Sequence, residues 1–343
     1  MAHPISMKEI ALQAGVSLAT VDRVLHHRPG VHAATRRRVE QACGELARQQ
    51  QQIGLKGRRF MIDLVMEAPE RFSRIVRETL AEAMRRVQPA VFRARDHVAE
   101  TLSVPDLVAL LDAIGRRGSH GVLLKAPDVP AVTAAALRLM ARGIPVVTLV
   151  TDLKGLPSHA YVGLNNRRAG ETAAYLMAQW LRSPTAQVLV SSSGQRFQGE
   201  DERIHAFVQT LATTLPACQV HVLDSGQGLH GPTAASVGRL LATHPEVSAV
   251  YSVGGANAAI RAAFDTAGRT CSPFIGHDLD ADNLVLLRQG QLSAVLHHDL
   301  HHDLHMACLH VMHAQGLPSG VKEVSPSNVE VITPFNVPAS ADR

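Results

Sequence analysis

Nine residues able to carry a proton or hold a metal crowd the stretch 297–310: His297, His298, Asp299, His301, His302, Asp303, His305, Cys308 and His310. On a helix, His298/His302 and His301/His305 fall four residues apart, a spacing at which two imidazoles can share a zinc or nickel ion. The two pairs point to different faces, however, and Leu300, Leu304 and Ala307 mark an ordinary amphipathic stripe. No metal is expected there. Catalytic patterns are missing as well. There is no G-x-x-x-x-G-K-[ST], no G-x-G-x-x-G at a first strand and no G-x-S-x-G elbow. Ser191-Ser192-Ser193-Gly194 follows an apolar run but lacks the flanking glycines. No nucleophile–base–orienter set has supporting spacing, so neither an enzyme nor a cofactor is expected. The remaining chemistry is basic: Arg23 and the run Arg36-Arg37-Arg38 offer guanidinium groups suited to phosphates and base edges.

The elements that must position these groups follow from composition and pattern. The chain has 343 residues, 46% hydrophobic and 19% charged, which suits a folded chain of two or three domains. Charge is uneven. Residues 1–60 hold ten Lys and Arg against four Asp and Glu, so that segment is +6, and a chain total of +4 leaves −2 for the rest. A basic head on a slightly acidic body points to a polyanion at one end. With aromatics at only 3%, duplex DNA suits that end better than stacked single strands. Apolar runs stay short of a membrane span, residues 131–150 being broken by Arg138 and Arg142. The N-terminus lacks the apolar core of a secretory signal. Cys43, Cys218, Cys271 and Cys308 are far apart in sequence and read as reduced thiols. A cytoplasmic protein without membrane contact is therefore expected.

In the head, Ile10, Ala11 and Ala14 share one helical face, Gly15-Val16 makes a break, and Ser17 caps a second helix carrying Val21, Val24 and Leu25. A third helix is predicted from about Ala33 to Ala47. This spacing predicts a helix-turn-helix over 1–48, then a linker over 49–59. The run MKEIALQAGVSLATVDRVLHHRPGVHAATRRRVEQACGEL resembles the DNA-binding head of the LacI/GalR family of bacterial repressors nearly end to end.

The resemblance implies that the second helix enters the major groove, with Leu18, Ala19 and Arg23 at base edges and Ser17 and Thr20 at phosphates. Arg23 can hold guanine O6 and N7 together, and Arg36 looks like a phosphate contact. Three features depart from the family. Asp22 replaces the usual Ser, and beside phosphates it needs a cytosine amino group or Arg23 as partner. His32 replaces the Ser that caps the third helix, predicting a weaker cap. The linker lacks the usual Tyr-x-Pro-Asn. Leu55 is placed to act as the minor-groove wedge, but Gly54 and Gly57 disfavour a hinge helix.

From Phe60 onward, apolar runs such as FMIDLVM, GVLLK, IPVVTLV, AQVLVSS and SAVYSV alternate with amphipathic helices. Repeated βα units predict parallel sheets with helices on both faces. About 280 residues of this pattern exceed one comfortable sheet and suggest two lobes. The expected fold is thus α/β, a two-lobed body preceded by a small all-α head, with its ligand at the carboxyl ends of the strands. YVGLNNRRAGETAAYL, GEDERIHAF and FIGHDLD followed by Gly-x-Leu-x-Ala are similar to the periplasmic-binding-protein fold of the same family, in its ribose-type form.

Three crossings between lobes are implied, giving one lobe at about 60–163 and 299–325 and the other at about 164–298 and 326–343. By position in these motifs, Arg203 and Asp278 close on ligand hydroxyls, Asn166 stands at the first crossover and His298 beside the last. Asp201 stands where sugar binders often have Arg. Phe72, in the loop after the first strand, can stack on a sugar face or simply fill core. The expectation is a homodimeric regulator, a repressor, reading a near-palindromic DNA operator under control of a small sugar-like effector. A solute-binding protein, or an α/β enzyme with an accessory helical head, is the alternative.

Overall fold

The computed structural model describes residues 5–55, 57–157, 159–317 and 325–339. The chain forms two compact units, Met1–Phe60 with Val87–Val91, and Met61–Arg86 with Phe92–Arg343.

The first unit opens with helix α1 (Met7–Ala14). Ser6 and Glu9 form a reciprocal capping box at its start, and Gly15, at φ 61°, ends it in the left-handed region that glycine tolerates best. Helix α2 (Leu18–Leu25) is capped by the Ser17 hydroxyl, which accepts from the Thr20 amide at 3.2 Å. Ile5, Ile10, Ala14, Val21, Val24 and Val39 bury together as its core. Arg38 donates to the Ala14 carbonyl at 2.5 Å, so this arginine closes the turn between the first two helices.

Two expectations for this unit change. His32 does supply an acceptor at the start of helix α3 (Ala33–Leu55): its Nδ1 accepts from the Ala34 amide at 3.3 Å. The same helix runs on through the linker instead of ending near Ala47. Gln49 to Gln52 are good helix formers, and a single Gly costs only about 1 kcal/mol against Ala. Leu55 is the last helical residue; its side chain and Lys56 lie outside the described residues.

The second unit holds two sheets. The first runs in the order β2-β1-β3-β4-β5, built from β1 (Arg59–Glu67), β2 (Val91–Ala99), β3 (Gly121–Lys125), β4 (Val146–Leu149) and β5 (Ala160–Val162). The second runs β11-β10-β9-β8-β6-β7. Its strands are β6 (Gln187–Ser192), β7 (Gln219–Asp224), β8 (Val247–Ser252), β9 (Phe274–His277), β10 (Ala294–His297) and β11 (Glu330–Ile332). Both are doubly wound around a point where strand order reverses, which leaves a crevice at the carboxyl ends. The second sheet is not wholly parallel, since β11 pairs antiparallel with β10. Helix α4 (Glu70–Arg86) follows β1, and helix α12 (Leu300–Ala314) packs on it and on β4 and β5. Among the described residues no helix is long and apolar enough to cross a membrane.

Strand β2 carries Arg93, Arg95, Asp96 and His97, a composition that gives no strand signal. It is held because Asp63, fully buried on β1, accepts from Arg95 at 3.0 and 2.7 Å, from Arg117 at 2.7 Å and bonds His97 at 2.9 Å. Burial by itself would raise that carboxyl, but hydrogen bonds from Arg95 and His97 hold it below the usual range.

In the second sheet's lobe, helix α7 (Asn166–Trp180) lies against helix α8 (Gln198–Thr214). Their approach is set by Gly170, where a Cβ would stand 2.3 Å from the Arg203 carbonyl oxygen and 2.9 Å from the Ala206 Cβ. A backbone atom cannot yield that distance. Gly170→Ala should therefore cost about 1–3 kcal/mol through overpacking, seen as a lower denaturant midpoint with unchanged slope in urea unfolding.

Candidate functional site

In the first unit, α2 turns its polar face outward. Leu18 is 46% exposed. Ser17, Ala19 and Arg23 are exposed beside it, while Val21 and Val24 are buried. Thr20 is half-buried and its hydroxyl meets that of Ser17 at 2.9 Å. Asp22 is not paired with Arg23: its carboxylate accepts from Arg28 at 2.8 Å and faces His26 at 3.0 Å. The Arg23 guanidinium has no hydrogen-bond or ion-pair partner among the described residues, although the Arg23 carbonyl accepts from the Arg28 amide at 2.7 Å. Arg36 is half-buried near the start of α3. A carboxylate neutralised within its own unit repels phosphates less, which answers the difficulty posed by Asp22.

In the second unit, loops at the carboxyl ends of both sheets line a cleft between the lobes. Phe72 and Arg71, in the first turn of α4, line one wall; Arg203 and Asp278 line the other. Arg203 is buried, and its Nε donates to the Asn166 side-chain oxygen at 2.7 Å. The Asn166 amide in turn donates to the Tyr161 hydroxyl at 3.1 Å, which donates to the Leu164 carbonyl at 2.8 Å. Asn166 thus lies behind the cleft and orients Arg203.

Asp278 adopts φ 63°, a left-handed conformation that a non-glycine residue holds only when its surroundings impose it. Its amide donates to Leu296, and Asn283 donates to its carbonyl at 2.7 Å and to that of His277 at 2.8 Å. Val150 and Gln227, also on the cleft wall, share this geometry at φ 67° and 60°.

His298 stands behind Asp278, its Nε2 at 3.8 Å from the carboxylate. Its Nδ1 meets buried Asp303 at 2.6 Å, and Asp303 accepts from the Ser327 hydroxyl. Burial pulls the imidazole down, yet the Asp303 hydrogen bond and charge carry its pKa above the usual value. Asp201 does not reach the cleft. It is exposed and borders an outer hollow with Lys154 and Asp224. On α8, Glu200 and Arg203 are three residues apart and share a face, whereas Asp201 is rotated away from it.

Several lining residues were not expected from the sequence, although Glu200 and Asp280 lie within the GEDERIHAF and FIGHDLD segments. Lys125, the last residue of β3, is buried and donates to the Glu67 carbonyl at 2.8 Å, with its ammonium 3.6 Å from the Phe197 ring centroid. Burial lowers its pKa to about 8. Glu200 accepts from the Ser193 amide at 2.7 Å. The two lobes are joined across the cleft by Arg71, whose Nε donates to Asp280 at 2.9 Å and whose Nη2 donates to the Gly228 carbonyl at 2.8 Å. Gln195 donates to Glu67 at 2.8 Å from the same side as Asp280. The available signal was position: Lys125 and Glu67 each end a strand at its carboxyl end. As for the histidine run, the described residues contain no cluster of His, Cys, Asp and Glu able to hold a metal ion.

Residues 70–304 match the family described as periplasmic binding protein domain, and residues 6–47 match the bacterial regulatory proteins of the lacI family. A search of curated proteins finds no match. Among solved structures, GanP, a glucose-galactose binding protein from Geobacillus stearothermophilus, superposes with a TM-score of 0.70 at 17% identity, covering 81% of this chain and 99% of its own. A chain from Bacteroides fragilis described as a LacI transcriptional regulator gives 0.71 at 18%, covering 82% and 98%. A solute-binding protein of an ABC transporter from Actinobacillus succinogenes, with D-allose bound, gives 0.68 at 15%, covering 80% and 98%.

The Arg71–Asp280 link makes a pH prediction. Burial raises the Asp280 pKa to about 6, against the opposing pull of the Asn283 amide and Arg71. The folded chain therefore binds this proton more tightly than the unfolded chain, and stability falls as pH rises from about 4 to 6. Asp280→Asn keeps the cap on the helix at Ala281–Arg288, since Asn caps as well as Asp. It should remove about 2–3 kcal/mol of that decline, measured as wild-type minus variant unfolding free energy across this window.

Proposed function

The chain belongs to the lacI family of bacterial regulatory proteins, with a periplasmic-binding-protein domain behind its DNA-binding head, and on that premise we propose a homodimeric repressor whose hold on DNA is set by a sugar-like molecule in the cleft. It is a ligand-controlled transcriptional regulator. The observation that carries the proposal is the presence in one chain of an outward helix face with an unengaged Arg23 and a polar cleft crossed by inter-lobe hydrogen bonds. One such head offers a small interface, so two heads on a two-fold axis would read two half-sites of a near-palindrome.

The roles follow from the chemistry. Arg23 reads a guanine, Leu18 and Ala19 give apolar contact such as a thymine methyl, and Ser17, Thr20 and Arg36 meet phosphates. Asp22 acts through Arg28 and His26, holding the end of α2. In the cleft, Asp278 and Arg203 take oxygen groups of the ligand, Asn166 and His298 position them, and Phe72 covers a sugar face. Ligand bound on both walls favours the closed arrangement of the lobes, and by linkage this biases the spacing of the two heads. The protein acts in the cytoplasm, where its DNA lies, and performs no reaction of its own.

Selection of random duplexes on the full chain tests this reading. A two-half-site sequence should emerge, and Arg23→Ala should weaken its binding by about 1–3 kcal/mol and relax preference at one position per half-site. Enrichment of no sequence, with and without candidate sugars, would sink the regulator reading for this head.

A further inference from the structure

We infer that the effector is a polyhydroxy carboxylate, a sugar acid whose carboxylate is received by Lys125 and Arg203, rather than a neutral sugar. The inference rests on the reading of this cleft as the effector site and concerns the charge of what fills it.

Six charged side chains line the cleft: Arg71, Lys125, Glu200, Arg203, Asp278 and Asp280. Arg71 and Asp280 neutralise one another at 2.9 Å. The Glu200 carboxylate is engaged by the Ser193 amide. Lys125 and Arg203 have no carboxylate within ion-pair distance among the described residues. Each makes a single hydrogen bond, and each to a neutral oxygen: Lys125 to the Glu67 carbonyl and Arg203 to the Asn166 side chain. Two ammonium hydrogens and both Nη groups are left over, on side chains belonging to residues only 9% and 4% exposed. Asp278 is the one acid on the wall with no hydrogen bond to its carboxylate, and His298 stands behind it at 3.8 Å.

The wall carries three cations and three acids; its cations without a carboxylate partner are Lys125 and Arg203, and its acid without a hydrogen-bonded carboxylate is Asp278. Glu67, Glu200 and Asp278 lie near enough to favour the charged lysine, yet burial outweighs them and lowers its pKa. A neutral sugar closing over this wall would strip the remaining water from Lys125 without supplying a counter-charge. A carboxylate supplies one, and an arginine fork matches its two oxygens. Hydroxyls on the rest of the ligand then fall to Asp278.

The test is titration calorimetry of the full chain with matched probes: D-gluconate, D-glucuronate and D-galacturonate, against D-glucose, D-galactose and D-glucose 6-phosphate. At least one acid should bind about tenfold or more tightly than its neutral counterpart, and Lys125→Met should lose about tenfold or more of that affinity while Lys125→Arg retains most of it. Circular dichroism and a thermal melt establish that both variants are folded. If the Met variant does not fold, the Arg variant and the acid-to-neutral ratio of the wild type still decide. A neutral sugar binding as tightly as its acid overturns the inference and leaves the regulator reading standing, as does preference for the phosphate. Binding of none of the six overturns both the acid assignment and the sugar-like effector.

Discussion

The body of this protein depends on how a buried guanidinium is held in place. Arg203 sits on α8, and the oxygen that receives its Nε belongs to Asn166, the first residue of α7. For that bond to form, the two helices must approach until backbone nearly touches backbone, which Gly170 permits. Gly199 does the same one turn earlier on α8, where a Cβ would stand 2.9 Å from the Asn166 amide nitrogen. The chain Leu164–Tyr161–Asn166–Arg203 then ties the crossover between the lobes to the cleft wall. A long, flexible side chain becomes a fixed donor, and its ordering entropy is met by packing rather than by the ligand.

Around it the cleft stores strain and charge together. Val150, Gln227 and Asp278 all hold left-handed backbone on its walls. Such residues persist only where neighbours over-determine them, as Asn283 does for Asp278 through two carbonyls. The inter-lobe bonds of Arg71 and Gln195 are few and polar, so opening exchanges them for water at modest cost.

The head solves a different problem, presenting a basic face to phosphates without losing its own fold. Its arginines divide the work. Arg38 is consumed in closing the turn at Ala14, and Arg28 neutralises Asp22. The Arg23 side chain, on the outward face of α2 and ahead of both in sequence, stays unengaged. The acid that looks hostile to DNA in the sequence is thereby made part of the head's internal structure.

What the sequence determined by itself was periodic or local. The three helices of the head, the Ser17 cap and the alternation of buried strands with amphipathic helices were readable, because spacing of apolar residues and short-range capping act within a few residues; Arg203 and Asp278 stood out only through the family resemblance of their segments. Strand β2, the helix at Val104–Arg117 and antiparallel β11 were not. β2 carries Arg95 and His97, and the carboxylate that makes them tolerable is Asp63, more than thirty residues away. The extension of α3 to Leu55 was missed because Gly54 and Gly57 were weighed more heavily than four glutamines, and Gly57 lies beyond the helix end. In the cleft, Asp201 lost its place to Glu200 through a single step of helical rotation. Lys125, Arg71 and Asp280 belong to the site only because two separately wound sheets bring their carboxyl ends together. That meeting is a property of the tertiary fold, since partners such as Arg71 and Asp280 are 209 residues apart along the chain.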